Sequence, residues 1–343
     1  MIFNFSYAYE QVSTTACFKQ KPEDFIVQEQ LSFTPDGSGK HAFLWLEKKA
    51  LNTQYVIKLL SEFTGLAARH IGYAGLKDKQ SISRQWFSIN LQGLSEPKWQ
   101  DFSHPDITIK TVTYHNKKLK VGSLTGNDFV ILLRDIQAFN CEEIEQRLDK
   151  ISEYGVPNYF GPQRFGINNQ NISKAQDWFE GKIKINHRAQ KSIILSAARS
   201  YLFNQLLSQR IELYGWHQLI NGEVMMLDGT RSIFIVPEQA DSETIQRFNE
   251  ADIHPSLSLW GQGQLKSQAQ LYDLENNLKD VFPNWCKGLE NKGLKQDRRA
   301  MRVLPKNLSF SWLEGKHLQL KFSLARGCYA TSILRELVNI GIE

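Results

Sequence analysis

The chain has 343 residues, of which 41% are hydrophobic and 22% charged, with a formal net charge of +5. At roughly 150 residues per domain, that length predicts about two domains. No stretch reaches the roughly 18 consecutive apolar residues of a membrane-crossing helix; the start, MIFNFSYAYE, lacks the basic and apolar regions of a secretory signal, so a cytoplasmic protein without a membrane partner is expected.

Residues 16–31 (ACFKQKPEDFIVQEQL) predict strand, turn and strand: Pro22 and Asp24 mark the turn, and Phe25-Ile26-Val27 is β-prone. PDGSGK (35–40) is a loop, and HAFLWLEKK (41–49) alternates as a strand. Residues 53–69 have apolar positions at helical spacing, with Asn52 or Thr53 as N-cap. A short strand, IGYA (71–74), leads into the loop GLKDK (75–79). RQWFSI (84–89), ITIKTVTY (107–114) and FVILLR (129–134) predict further strands. Short strands with few helices indicate an α+β arrangement.

The pattern changes near residue 142. CEEIEQRLDKI begins a helix, and SAARSYLFNQLLSQRIELY (196–214) predicts a long amphipathic one. Residues 140–305 read as helix-rich, with a β-like island at SIFIVP (232–237). Strands return at 308–313 and 317–324, and a closing helix is predicted over 330–340. Strands, a helical block and strands again indicate a domain inserted into a discontinuous one.

Cys17, Cys141, Cys286 and Cys328 lie far apart and form no CxxC motif, and the histidines form neither HExxH nor HxH. Buried free thiols are expected, with no metal and no cofactor. Residues 287–306 carry seven Lys/Arg against two acids, and 114–120 (YHNKKLK) carry three lysines and no acid. Such runs suit a phosphate backbone or a solvated face.

The chemistry concentrates in IGYAGLKDKQSISRQWFSI (71–89), where a glycine-containing loop presents Asp78 between Lys77 and Lys79. Adjacent cations favour a carboxylate over a carboxylic acid, and a carboxylate serves as nucleophile or base. The same string also fits a solvated turn.

GYAGLKDKQSISRQWFSI resembles the signature of the TruD family of pseudouridine synthases. Further blocks follow the family's order: FKQKPEDFIVQE (18–29), HNKKLKVGSLTGNDFVILLR (115–134), GVPNYFGPQRFG (155–166), LSAARSYLFNQLLSQR (195–210) and RGCYATSILRELV (326–338). The resemblance spans essentially the whole chain. It implies a pseudouridine synthase fold, a mixed and largely antiparallel sheet with flanking helices, carrying an inserted helix-rich α/β domain, the two forming a V with a basic cleft. The implied boundaries are 1–152 plus 304–343 for the catalytic domain and 153–303 for the insertion.

The implied reaction isomerises uridine 13 of tRNA to pseudouridine: the bond from C1′ to N1 breaks and C1′ joins C5. Nothing is oxidised and no group is lost, so one carboxylate near the sugar is the minimum equipment. Asp78 matches the family's catalytic aspartate. Phe25 matches the aromatic that stacks on the target base, Asn127 a substrate-contacting asparagine, and Tyr329 a further contact where many relatives carry phenylalanine. Lys19, before PEDF, matches the basic group beside the aspartate. Arg164, Gln163 and Asn158 lie in NYFGPQRFG, at the expected start of the insertion, where Arg164 would contact phosphate or support the Asp78 loop. On the long helix, Arg199 and Asn204 are candidates to face RNA, while Leu202, Phe203, Leu206 and Leu207 are expected in the core. The partner is tRNA, and a monomer is implied. Two other classes stay open on the residues alone: an RNA-binding protein without catalysis, and a glycosidase, which needs a second carboxylate such as Glu23 or Asp24.

Overall fold

The computed structural model describes residues 4–91, 93, 95–137, 140–236 and 238–340. The chain begins with β1 (Thr15–Phe18), β2 (Phe25–Leu31), β3 (His41–Lys49), α1 (Thr53–Thr64), β4 (Ile71–Tyr73), β5 (Ile82–Asn90), β6 (Ile107–His115) and β7 (Leu124–Gln137). It continues with α2 (Cys141–Tyr154), β8 (Val156–Pro157), α3 (Gln170–Phe179), α4 (Arg188–Tyr214), β9 (Val224–Leu227), β10 (Ile233–Ile235), α5 (Ser242–Asn249) and β11 (Ile253–Leu259). The last elements are α6 (Ala269–Asn276), α7 (Leu278–Val281), α8 (Pro283–Asn291), β12 (Asp297–Ala300), β13 (Arg302–Val303), β14 (Lys306–Leu313), β15 (His317–Ala325), α9 (Ala330–Leu337) and β16 (Asn339–Ile340). Among the described residues, no helix is long and apolar enough to cross a membrane.

These elements form two compact units. The sheet unit comprises Ser13–Asn140, Pro305–Gly327 and Val338–Glu343; the helical unit comprises Met1–Val12, Cys141–Leu304 and Cys328–Leu337. The helical unit takes in more than an insertion over 153–303, because α2, α9 and the N-terminal stretch also pack in it.

The sheet unit holds one mixed sheet, ordered β14-β15-β7-β2-β5-β3-β6, with β4 beside β5, and β1 beside β7 and β16. Pairing is antiparallel except for β2 with β5 and β1 with β16. Alternation along β3 and β5 sends Ala42, Leu44, Leu46, Phe87 and Ile89 into a core with Val56, Ile57 and Leu60 of α1. The Asn52 side chain caps α1, accepting the Tyr55 N–H at 2.8 Å. The helix predicted to run to residue 69 stops at Thr64, because Gly65 turns left-handed (φ 69°).

In the helical unit, α4 starts two turns earlier than predicted and buries Leu202, Phe203, Leu206 and Leu207 completely. The island predicted at 232–237, whose last residue lies outside the described residues, contains β10, one strand of a four-stranded antiparallel sheet ordered β10-β9-β11-β12. Its partners are hidden in sequence because β11 (IHPSLSL) carries proline and serines, and β12 (DRRA) is charged. Their polar groups are matched internally: Ser256 Oγ donates to the Val224 carbonyl at 2.6 Å, and the Ser258 N–H donates to Glu275 Oε1 at 2.8 Å. The closing helix predicted to residue 340 ends at Leu337, after which Asn339 and Ile340 pair in parallel with Thr15 and Ala16.

Candidate active site

Parallel pairing of β2 with β5 sets Ile26 beside Ile82, so the turn entering β2 and the loop entering β5 emerge at the same end of the sheet. The first carries Lys19 and the second Asp78. Lys19 Nζ donates to Asp78 Oδ2 at 2.8 Å, with 15% and 31% of the two side chains exposed. The Lys19 backbone is left-handed (φ 58°), a costly state for a residue with a Cβ. Gln80 Nε2 holds that turn by donating to the Lys19 carbonyl at 2.6 Å.

Phe25 opens β2 and is 5% exposed. The Lys19 ammonium stands 3.9 Å from its ring centroid, Phe18 meets it edge-on at 5.5 Å, and Phe129 lies at 5.9 Å. A cation over an aromatic face is held by the ring quadrupole. Lys19 therefore ties the carboxylate and the aromatic into one group.

The flanking lysines do not act as the sequence implied. Lys77 turns inward and pairs with Glu29 at 2.6 Å, both side chains being nearly or fully buried, while Lys79 is exposed. The cation in contact with Asp78 is Lys19, 59 positions away in the chain.

The underside of the loop is tied down by side chains, as its backbone groups require. Thr53 Oγ1 accepts the Lys77 N–H at 3.0 Å and donates to Gln85 Oε1 at 3.1 Å. Gln85 Nε2 donates to the Gly75 carbonyl at 3.2 Å. The Asp78 carbonyl accepts from Ser81 Oγ at 2.8 Å and from Lys48 Nζ at 3.2 Å. Lys48 is completely buried and also donates to Ser83 Oγ and to the Leu51 carbonyl. Sequence reasoning missed Lys48, Glu29, Thr53, Ser81, Ser83 and Gln85. A signal was present: Lys48 continues the inward parity of Ala42, Leu44 and Leu46, where a charge has no place in a plain core.

Asn127 lies within β7 rather than in a turn, opposite Glu29 of β2 and Leu324 of β15. It therefore shares a sheet face with Glu29 and Phe25. Its Oδ1 is buried without a hydrogen-bond partner among the described residues. Gly126 before it is obligatory in size, since a Cβ there would strike the Leu324 carbonyl.

Arg164 and Tyr329 belong to the helical unit and meet each other. Arg164 Nη2 donates to Tyr329 Oη at 2.9 Å and Nη1 to Ser196 Oγ at 3.2 Å. A Cβ at Gly161 would come within 3.0 Å of Thr331 Oγ1 and 3.1 Å of the Tyr329 ring, so glycine permits this contact. Asn158 is buried and structural: its Oδ1 accepts from Arg299 and its Nδ2 donates to the Ala300 carbonyl. Asn204, expected to face RNA, is fully buried; its amide accepts the Phe160 N–H at 2.8 Å and donates to the Phe160 carbonyl at 2.9 Å. It serves a backbone that no strand satisfies.

The basic run 287–306 is also partly internal. Arg298 pairs with Glu275 at 2.7 Å, Arg299 holds Asn158, and buried Arg302 donates to His254 Nδ1 and the Phe248 and Ile253 carbonyls. Lys287, Lys292, Lys295 and Lys306 are exposed.

Neither acid expected of a glycosidase stands ready. The Asp24 side chain is almost fully buried and takes a two-pronged contact from Arg134, Nε at 2.9 Å and Nη2 at 2.7 Å. Burial pushes its pKa up, but Arg134 and the Lys21 N–H more than offset this and hold it below the usual value. Glu23 pairs with Lys49 at 2.5 Å.

Comparison with known proteins matches the chain to the family model described as tRNA pseudouridine synthase D (TruD), over residues 4–176 and 170–337. The tRNA pseudouridine synthase D of Hydrogenovibrio crunogenus is 41% identical over 340 residues, 99% of this chain and 97% of that protein. That of Proteus mirabilis is 40% identical over 96% of this chain and 93% of its own length. Among solved structures, the putative tRNA pseudouridine synthase D of Methanosarcina mazei superposes with a TM-score of 0.72, covering 98% of this chain and 96% of that one at 21% identity, a likeness of fold.

Proposed function

The chain belongs to the tRNA pseudouridine synthase D (TruD) family, and we propose that it isomerises uridine 13 of tRNA to pseudouridine with Asp78 as the carboxylate that engages the ribose. The observation that carries this assignment is the Lys19–Asp78 pair at 2.8 Å, standing over Phe25 at the mouth of β2 and β5. A partly exposed carboxylate on a braced loop, beside an aromatic ring and a cation, is what the chemistry asks for. In one route the carboxylate attacks C1′ as N1 leaves; in the other it removes the 2′ proton and a glycal forms. Either way the base turns, C5 bonds to C1′, and the C5 proton is replaced by one on N1, so the product is an isomer.

A uridine in folded tRNA must be flipped out, at a cost of a few kcal/mol. Stacking on Phe25, about 1–3 kcal/mol per base, offsets part of it once the Lys19 ammonium yields the ring face. Asn127, with its unmatched Oδ1, is assigned to the uracil edge, which offers an imide N–H. Arg164 and Tyr329 are assigned to RNA contact, and exposed Lys117, Lys120, Lys287, Lys292 and Lys295, with half-buried Lys118 beside them, to phosphate. We further propose that residues 153–303 form the inserted domain, that the protein is a cytoplasmic monomer, and that it needs no cofactor.

The test is carbodiimide labelling and primer extension on unmodified tRNA transcripts, because pseudouridine and uridine have equal mass. A stop reporting position 13 with the natural protein, and none with Asp78→Asn, is expected. Binding of tRNA without a stop at any position would overturn the assignment.

A further inference from the structure

We propose that Lys48 is a positioning residue for the reaction, setting the orientation of the Asp78 carboxylate by gripping the Asp78 backbone carbonyl from inside the sheet; this rests on the assignment of Asp78 above. Lys48 lies on β3 directly opposite Ser83 of β5. Its acceptors are two backbone carbonyls, of Leu51 and Asp78, and the Ser83 hydroxyl, none of them charged. A buried ammonium without a charged acceptor is an expensive way to fill an apolar face, and methionine occupies similar volume without the desolvation cost. What methionine lacks is the donor to Asp78.

The grip is double. Ser81 Oγ donates to the same carbonyl oxygen at 2.8 Å and is linked to Ser83 Oγ, also at 2.8 Å. Two donors on one oxygen fix the plane of the peptide after Asp78, and with it the direction of the Asp78 Cα–Cβ bond. From there Lys19 holds the carboxylate tip at 2.8 Å. The residue is thus pinned at both ends, from the interior by Lys48 and Ser81 and from the turn by Lys19. Burial pulls the Lys48 pKa down to about 8, while the Asp78 carboxylate pulls the other way, which places the two charges within each other's field. Displacement of a reacting group by an ångström costs on the order of a hundredfold in rate.

The experiment compares Lys48→Met, Ser81→Ala and the double variant with the natural protein by two readouts. One is the single-turnover rate of pseudouridine formation alongside tRNA affinity. The other is hydrogen exchange over residues 75–83, which needs no activity. Lys48→Met is expected to lose at least about tenfold in single-turnover rate, with affinity unchanged within about twofold, a thermal midpoint no lower, and faster exchange over 75–83. Ser81→Ala moves the same way by less, and the double variant loses less than the product of the two, since both donors serve one oxygen. A folded Lys48→Met with natural rate, or with natural exchange over the loop, overturns the inference. Should Lys48→Met not fold, Ser81→Ala decides: natural rate and natural exchange there overturn it equally. If the natural protein makes no pseudouridine, the functional assignment fails, and the exchange readout still determines whether Lys48 holds the loop.

Discussion

At one end of the face shared by β3 and β5, Ala42, Leu44, Phe87 and Ile89 are completely buried against α1. At the other end, Lys48, Ser83 and Gln85 hold positions of the same parity and are just as buried. The strands, the pleat and the helix are common to both. The apolar end is held by area and shape, which fix how far apart elements lie but not the orientation of a given peptide. The polar end is held by directional bonds, several of them addressed to single atoms of the 75–81 loop. Precision at the site thus comes from replacing part of a core with donors and acceptors, at a cost in stability that the apolar end offsets.

The comparison breaks first at its outermost point. Asp78→Asn keeps the size and nearly the shape of the side chain but removes the charge, and its pseudouridine formation is expected to fall below detection while folding is kept. Single-turnover assay and thermal unfolding together check this. Leu44→Ala, at the apolar end, is expected to do the reverse. It removes a fully buried side chain packed across from Phe87 and should cost about 2–5 kcal/mol of stability, with the rate per folded molecule unchanged. Denaturant titration paired with active-site titration separates the two quantities. A rate loss in Leu44→Ala matching that of Lys48→Met would dissolve the distinction between the ends.

A pH effect sharpens it further. Folded Lys48 gives up its proton near pH 8, against the usual 10.5 for an unfolded lysine. Between those values the unfolded chain binds more protons, so raising the pH through that window stabilises the folded state. The natural protein should therefore gain stability relative to Lys48→Met as pH rises from 8 towards 10. Parallel urea titrations of the two proteins at both pH values give the difference, and an equal pH dependence would show that buried Lys48 keeps its proton as an unfolded lysine does.

Much of this arrangement was legible beforehand. The β strands around Asp78, the Asn52 cap and the α4 core follow from alternation, capping chemistry and helical spacing. The Lys19–Asp78 pair came from the resemblance, because its partners are remote in sequence and only the parallel pairing of β2 with β5 joins them. Lys77 and Lys79 were misleading for the same reason: adjacency to Asp78 says nothing about which way a side chain turns. Asn204 was misjudged because an amide on a helix looks solvent-facing until the Phe160 backbone it serves is known. The run 287–306 promised more surface charge than exists, since Arg298, Arg299 and Arg302 find acceptors on segments that sequence order does not predict.

The finest test uses two consecutive residues at the start of α1. Asn52 accepts the Tyr55 N–H and serves only its own helix, so Asn52→Ala should cost about 1 kcal/mol of stability without altering the rate. Thr53 serves the loop: its hydroxyl accepts from the Lys77 N–H and donates to Gln85, whose amide reaches Gly75. Thr53→Val keeps the shape, leaves those buried groups unmatched and should cost about 1–3 kcal/mol. Unlike the cap variant, it should also slow the single turnover, because the displaced atoms lie within the loop that carries Asp78. If the two variants lose stability alike and neither changes the rate, the polar end is only a core built from different atoms. If Thr53→Val alone slows the reaction, the hydroxyl's contact with the loop, rather than the helix start as such, is what sets the site.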